Sequence, residues 1–178
     1  MNKAEIENKS LAYITIYSYS LNLIFSGIGF LCNTGSKEQL ILFQIGNAFA
    51  ITASVMAGRY TGLKGQHVTA SGFILLGITH GISLGALSRS AINVDRGMTM
   101  LMPMIPALIS MFWCTLFPRW LRISSIIPIF FFTLTYIHVW LGRSYYDWPL
   151  NLGYSTFQII EVLWGIYLLK DWKQHTST

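Results

Sequence analysis

Three ionisable residues, His80, His138 and Glu161, fall inside long apolar stretches of this chain. An ionisable side chain at bilayer depth costs several kcal/mol and marks binding, proton relay or coupling. Glu161 has Gln158 one turn earlier on roughly the same helical face. That pair suits a proton- or cation-binding carboxylate within a helix bundle, and its bland counterpart is a glutamate that ties helices by hydrogen bonds. His80 adjoins Gly81 in a glycine stripe, and His138 lies about one turn before Arg143. Counted from the outer helix ends at ~1.5 Å per residue, His80 is ~12 Å deep and His138 ~7 Å deep. The two imidazoles are therefore expected to share an outward cavity with Asn47, near the further polar groups Asn22 and Gln44. The expected ligand- or proton-binding set is Asn47, His80, His138, Gln158 and Glu161. Neutral imidazoles also ligate haem iron or a metal. Haem on His80 and His138 is the sharpest cofactor reading, although two lone histidines on separate helices are a weak signal for it.

Other chemistry is thinly represented. Met98/Met102 and Met100/Met104 are each spaced four apart, as in a thioether ladder for Cu(I), but the pairs point to different sides of a helix. Methionine is ordinary filler in apolar helices. Cys32 and Cys114 are expected at opposite membrane faces, which argues against a disulfide and for two packing thiols. No lysine lies in the apolar stretches, and nucleotide loops, H-E-x-x-H and the G-x-S-x-G elbow are missing. No nucleophile has an evident base beside it, so the reading leans away from an enzyme.

The elements that must position these groups are six apolar stretches at 11–31, 39–58, 68–88, 98–117, 123–142 and 149–169. A hydrocarbon core of ~30 Å needs ~20 helical residues to cross it. Hydrophobic residues make up 53% of the chain and charged residues 11%, with mean hydropathy +0.49. A soluble domain averages ~25% charged residues, so a soluble fold is excluded. The expected fold is all-α: a polytopic integral membrane protein with six transmembrane helices in one bundle, short loops and no extramembrane domain. Residues 1–10 form a mobile cytoplasmic lead, 11–169 the transmembrane domain and 170–178 a cytoplasmic tail. The first stretch exceeds the ~7–15 residues of a signal h-region and is read as a retained helix.

The net charge of +5 does not point to nucleic acid, because the basic residues sit singly or in pairs at helix ends. They encode orientation. With six spans, Lys3, Lys9, Arg59, Lys64, Arg119, Arg122, Lys170 and Lys173 share one side, against Lys37, Arg89, Arg96 and Arg143 on the other. The positive-inside rule makes the first side cytoplasmic, so a plasma-membrane protein with both termini inside is expected. Trp120 and Trp172 mark the inner edge, and Trp140, Tyr145, Tyr146 and Trp148 the outer.

Small residues recur every fourth position at Gly46, Ala50, Ser54 and Gly58, and again at Gly77, Gly81 and Gly85. Such stripes let backbones approach closely, so the second and third helices are expected to pack as an antiparallel hairpin. The same glycine-rich third helix would serve a homo-oligomer. Pro103 and Pro106 predict a bend in the fourth helix. The partners expected are the lipid bilayer and a small solute or ion bound or translocated through the polar cavity. The alternative is a cofactor-holding (haem or metal) or structural subunit of a membrane complex. A third is an intramembrane enzyme acting on a lipid at Arg143 and Asp147.

Overall fold

The computed structural model describes the backbone of residues 3–87, 94–144 and 148–176, and the side chains of 5–85, 101–144 and 148–174. Every regular element among them is helical: α1 (Lys3–Leu31), α2 (Lys37–Leu63), α3 (His67–Leu87), α4 (Val94–Ser110), α5 (Arg119–Ser124), α6 (Ile126–Trp140) and α7 (Trp148–Thr176). A 3-10 turn, Met111–Trp113, extends α4. Residues 88–93, the side chains of Asp95, Arg96, Met98 and Met100, and Tyr145, Tyr146 and Asp147 lie outside the described residues.

Chain order sets most of the packing. Short turns make α1, α2 and α3 successive antiparallel neighbours, α4 packs on α3, α6 lies against α4, and α7 closes the ring between α6 and α1. Local chemistry sets the corners. The Ser36 side chain accepts from the Gln39 backbone N–H and caps α2. Gln39 in turn reaches back, its amide nitrogen donating to the Gly29 carbonyl at the end of α1. Gly65 leaves α2 at φ +75°, a conformation that suits a residue without a Cβ, while Gln66 N–H bonds back to Thr61 O.

Among the described residues, five helices are long and apolar enough to cross a membrane, α5 and α6 counting together as one span, Arg119–Trp140. The fourth stretch ends earlier than the expected 98–117: α4 begins at Val94, and the helical run closes at Trp113. Pro103 and Pro106 each remove an amide donor inside α4. The α-helical pattern then tightens at Met111, and Pro118 starts a new helix. The fifth stretch starts earlier than expected, at Arg119, and breaks at Ser125.

The outer helices are also longer than the apolar stretches. The lead expected to be mobile is helical from Lys3, and the tail is helical to Thr176. Hydropathy marks only the apolar part of a helix. Its polar flanks persist here through ties at one end of the bundle. Glu7 of α1 pairs with Arg59 of α2, and Lys64 of α2 stands 3.2 Å from Asp171 of α7. Tyr60 donates to Asp171 at 2.7 Å, and Trp172 meets both the Tyr13 ring and the Lys9 ammonium.

The polarity is turned inside out relative to a water-soluble bundle. Large apolar side chains face outward, among them Ile78 (50% exposed), Phe130 (60%) and Ile159 (53%). Glu161, Asn22, His80, Ser54 and Thr79 are buried. Large apolar side chains exposed on so many helices are compatible with a membrane-facing exterior.

The small-residue stripes divide between partners. A Cβ at Gly58 would sit 3.3 Å from Ala70 O of α3, and one at Gly77 3.6 Å from Ser54 of α2. Gly46 instead lies against Ser26 and Asn22 of α1, while a Cβ at Gly81 would meet nothing within 4 Å. α7 also crosses α1 closely: a Cβ at Gly165 would come within 2.9 Å of the Ile16 Cα.

Candidate functional site: a buried histidine–glutamate pair

Four helices each send one polar side chain to a common point. Glu161 of α7, fully buried, accepts from the Asn22 amide nitrogen of α1 at Oε2, 3.1 Å away. Its Oε1 lies 3.1 Å from Nε2 of His80 on α3. The other ring nitrogen, Nδ1, lies 3.1 Å from Oδ1 of Asn47 on α2. Ser26, one turn beyond Asn22, donates to the Asn22 carbonyl oxygen at 3.2 Å. One face of the His80 ring stacks on Phe157, at 5.9 Å and 14°.

The hydrogens in this chain of bonds follow from the donor inventory. The Asn47 amide nitrogen donates to the Phe43 carbonyl at 2.9 Å, so the Asn47 oxygen faces His80 and can only accept. His80 Nδ1 therefore carries a hydrogen. Oε2 of Glu161 already accepts from an N–H, which leaves Oε1···Nε2 as the place for a shared hydrogen. One hydrogen fills that gap, whether it rests on the carboxyl or on the imidazole, and the pair is neutral overall in either form. A second would set two donors face to face, and none would leave a carboxylate against a lone pair. The geometry is that of a one-proton cell held between two amides.

Of the expected set, the structure joins Asn47, His80 and Glu161, and leaves His138 and Gln158 outside the hydrogen bonds just described. His138 was expected to share a cavity with His80. Its ring instead meets Trp148 edge-on at 5.9 Å, whereas His80 stacks on Phe157. Trp148 and Phe157 are nine residues apart on α7, or ~14 Å along the helix at ~1.5 Å per residue. The cause is topological: α6 packs on α4 and α7, so His138 approaches α7 near its start and from another side. Gln158 is buried on α7, but the partners of Glu161 come from α1 and α3 rather than from its own helix.

Asn22 belongs to the core of the site, although it is not in the set drawn from the sequence. The available signal was a mid-helix amide followed four residues later by Ser26, on the same face. A further hydrogen bond, Tyr19 OH to Ser54 Oγ at 3.2 Å, joins α1 to α2 closer to the end that carries Asp171.

Haem does not fit between His80 and His138. Both His80 nitrogens are engaged by Asn47 and Glu161, a ring face is covered by Phe157, and His138 stands at another level. Among the described residues no three metal-ligating side chains cluster. Of the methionines spaced four apart, Met102 points outward and Met104 is fully buried. No family model, curated protein or solved structure matches the chain.

Proposed function

We propose that this is a small multi-pass membrane protein that moves a small solute or ion with a proton, and that His80 and Glu161 hold the proton. The observation that carries the reading is the Oε1···Nε2 contact of 3.1 Å, buried where water and counter-ions do not reach it. A group that alternates between carboxyl and imidazole without changing net charge is suited to a low-dielectric interior, where net charge is expensive. The pair joins α3 to α7, so a change in its proton content acts directly on the distance between two helices. Asn47 and Asn22 fix the ring and the carboxyl in place. The cargo would approach from the side of Asn47 and His80, with Glu161 on the inner part of the path.

The excess of Lys and Arg on the side of both termini supports a plasma membrane orientation with the termini in the cytoplasm. The α1 start, the α2 end and the α7 end meet at one end of the bundle, as that orientation requires. The small-residue stripe of α3, where a Cβ at Gly81 meets nothing within 4 Å, is where a second copy would pack.

The test is proton uptake into proteoliposomes loaded with a pH dye and driven by a potassium diffusion potential. The wild-type chain should acidify the lumen, and Glu161→Gln should reduce the rate to that of empty vesicles. Equal uptake by the two proteins, or none above empty vesicles for the wild type, would remove the proposal.

A second reading, a structural subunit of a membrane complex, draws on a different observation: Glu161, Asn22, Asn47 and both His80 nitrogens all find partners inside the protein. A fully satisfied network is also how a polar clasp holds helices together. It predicts that Glu161→Gln keeps both fold and partners and that no proton moves in either protein.

A further inference from the structure

The junction of α4 and α5 carries a second site. An open cleft of about 360 Å³ is lined by Phe112, Arg119, Arg122, Ile123 and Ile126. That volume lies in the range of small-molecule sites, ~300–1,000 Å³. No carboxylate lines it, and neither arginine is paired with an acid among the described residues. Arg122 reaches the Phe112 carbonyl only at 3.5 Å, and its buried Nε has no hydrogen-bond partner. A guanidinium presents about five N–H donors in a fork suited to phosphate oxygens, so most of this capacity is unused.

The order of the residues adds a direction. Arg119, Arg122, Ile123 and Ile126 follow the i, i+3, i+4, i+7 spacing of one helical face. Both charges stand at the start of the apolar span that begins at Arg119, and both isoleucines, half-exposed, lie further into it. Trp120, exposed beside them, is an interfacial residue by type. Charge at the water edge followed by an apolar track is the profile of a phospholipid read from headgroup to acyl chain.

The geometry points to a binding site for an anionic glycerophospholipid, its phosphate held by Arg119 and Arg122 and an acyl chain lying on Ile123 and Ile126. The shared chemistry is a phosphate oxyanion, and the apolar half of the cleft selects a lipid over free phosphate. Basic pockets at the cytoplasmic edge of helical membrane proteins take such headgroups. The site rests on the membrane reading above but not on proton movement.

The experiment is native mass spectrometry of the full chain in detergent, titrated with dioleoyl-phosphatidylglycerol or dioleoyl-phosphatidylcholine, with inorganic phosphate as a competitor. Phosphatidylglycerol should be retained about tenfold better than phosphatidylcholine, and equimolar phosphate should not displace it. Arg119→Gln with Arg122→Gln should abolish the preference, and Arg59→Gln, which removes a charge elsewhere at that end, should keep it. Ile126→Trp retains both charges and fills the apolar half, so it should lower lipid retention. It decides the matter should the double variant not fold. A preference that survives both changes, falls equally in Arg59→Gln or yields to phosphate overturns the site. Recovery of the chain from the aqueous fraction without detergent overturns the membrane reading instead.

Discussion

Glu161 Oε1 and His80 Nε2 face each other across 3.1 Å with every neighbouring bond already committed, so one hydrogen alone satisfies both. Glutamine at position 161 reproduces this arrangement without a titrating proton. Its amide nitrogen donates to Nε2 and its oxygen accepts from Asn22. Glu161→Gln should therefore unfold within about 1 kcal/mol of the wild type. Glu161→Ala, which orphans Asn22 and His80, should cost ~2–5 kcal/mol. Thermal unfolding in detergent separates the two variants. A glutamine variant as unstable as the alanine one contradicts the proton assignment.

Asn47 dictates which imidazole nitrogen is always protonated. Nitrogen-15 spectra of the labelled imidazole should show Nδ1 carrying hydrogen in the wild type. Asn47→Leu strips that N–H of its acceptor and should lower stability by ~1–3 kcal/mol. A wild-type spectrum with a bare Nδ1 would refute the bond pattern.

Two glycines of similar appearance in the sequence should respond with opposite sign. Gly165→Ala drives a methyl against the Ile16 backbone and should destabilise by ~1–3 kcal/mol, less the ~1 kcal/mol gained in helix propensity. Gly81→Ala meets nothing within 4 Å and should be neutral or gain ~0.5–1 kcal/mol. Denaturation midpoints followed by helicity in mixed micelles read both, and the reverse ranking would contradict the α1–α7 crossing.

The two native thiols report orientation. Cys32 is partly exposed just beyond α1, and Cys114 is buried. A membrane-impermeant maleimide added to intact cells should label Cys32, and the label should vanish in Cys32→Ser. Cys114 should react only after denaturation. Labelling of Cys32 solely from the cytoplasmic side would invert the proposed topology.

Hydropathy made the helical class and the approximate position of each helix legible, because composition alone decides what a bilayer accepts. Helix ends were not legible: α1, α2 and α7 run past the apolar residues on ties such as Lys64–Asp171, which join positions more than a hundred residues apart. Three of the five expected site residues converge because mid-helix polar groups have few places to go. His138 and Gln158 do not join them, since a linear sequence gives depth along a helix but neither rotation about it nor the order in which helices close a ring. Asn22 shows the same limit from the other side. Its type and depth were visible, and its pairing with Glu161, 139 positions away, was not.

The knot at one end of the bundle divides the molecule mechanically. Glu7–Arg59, Tyr60–Asp171 and Lys9–Trp172 rivet α1, α2 and α7 into a tripod. At mid-height α3, which also packs along α2, is bonded to two legs of that tripod through one imidazole, to α2 by Nδ1 and to α7 by Nε2. Close packing couples α4 to α3 in turn, since a Cβ on Gly72 of α3 would collide with Ser110.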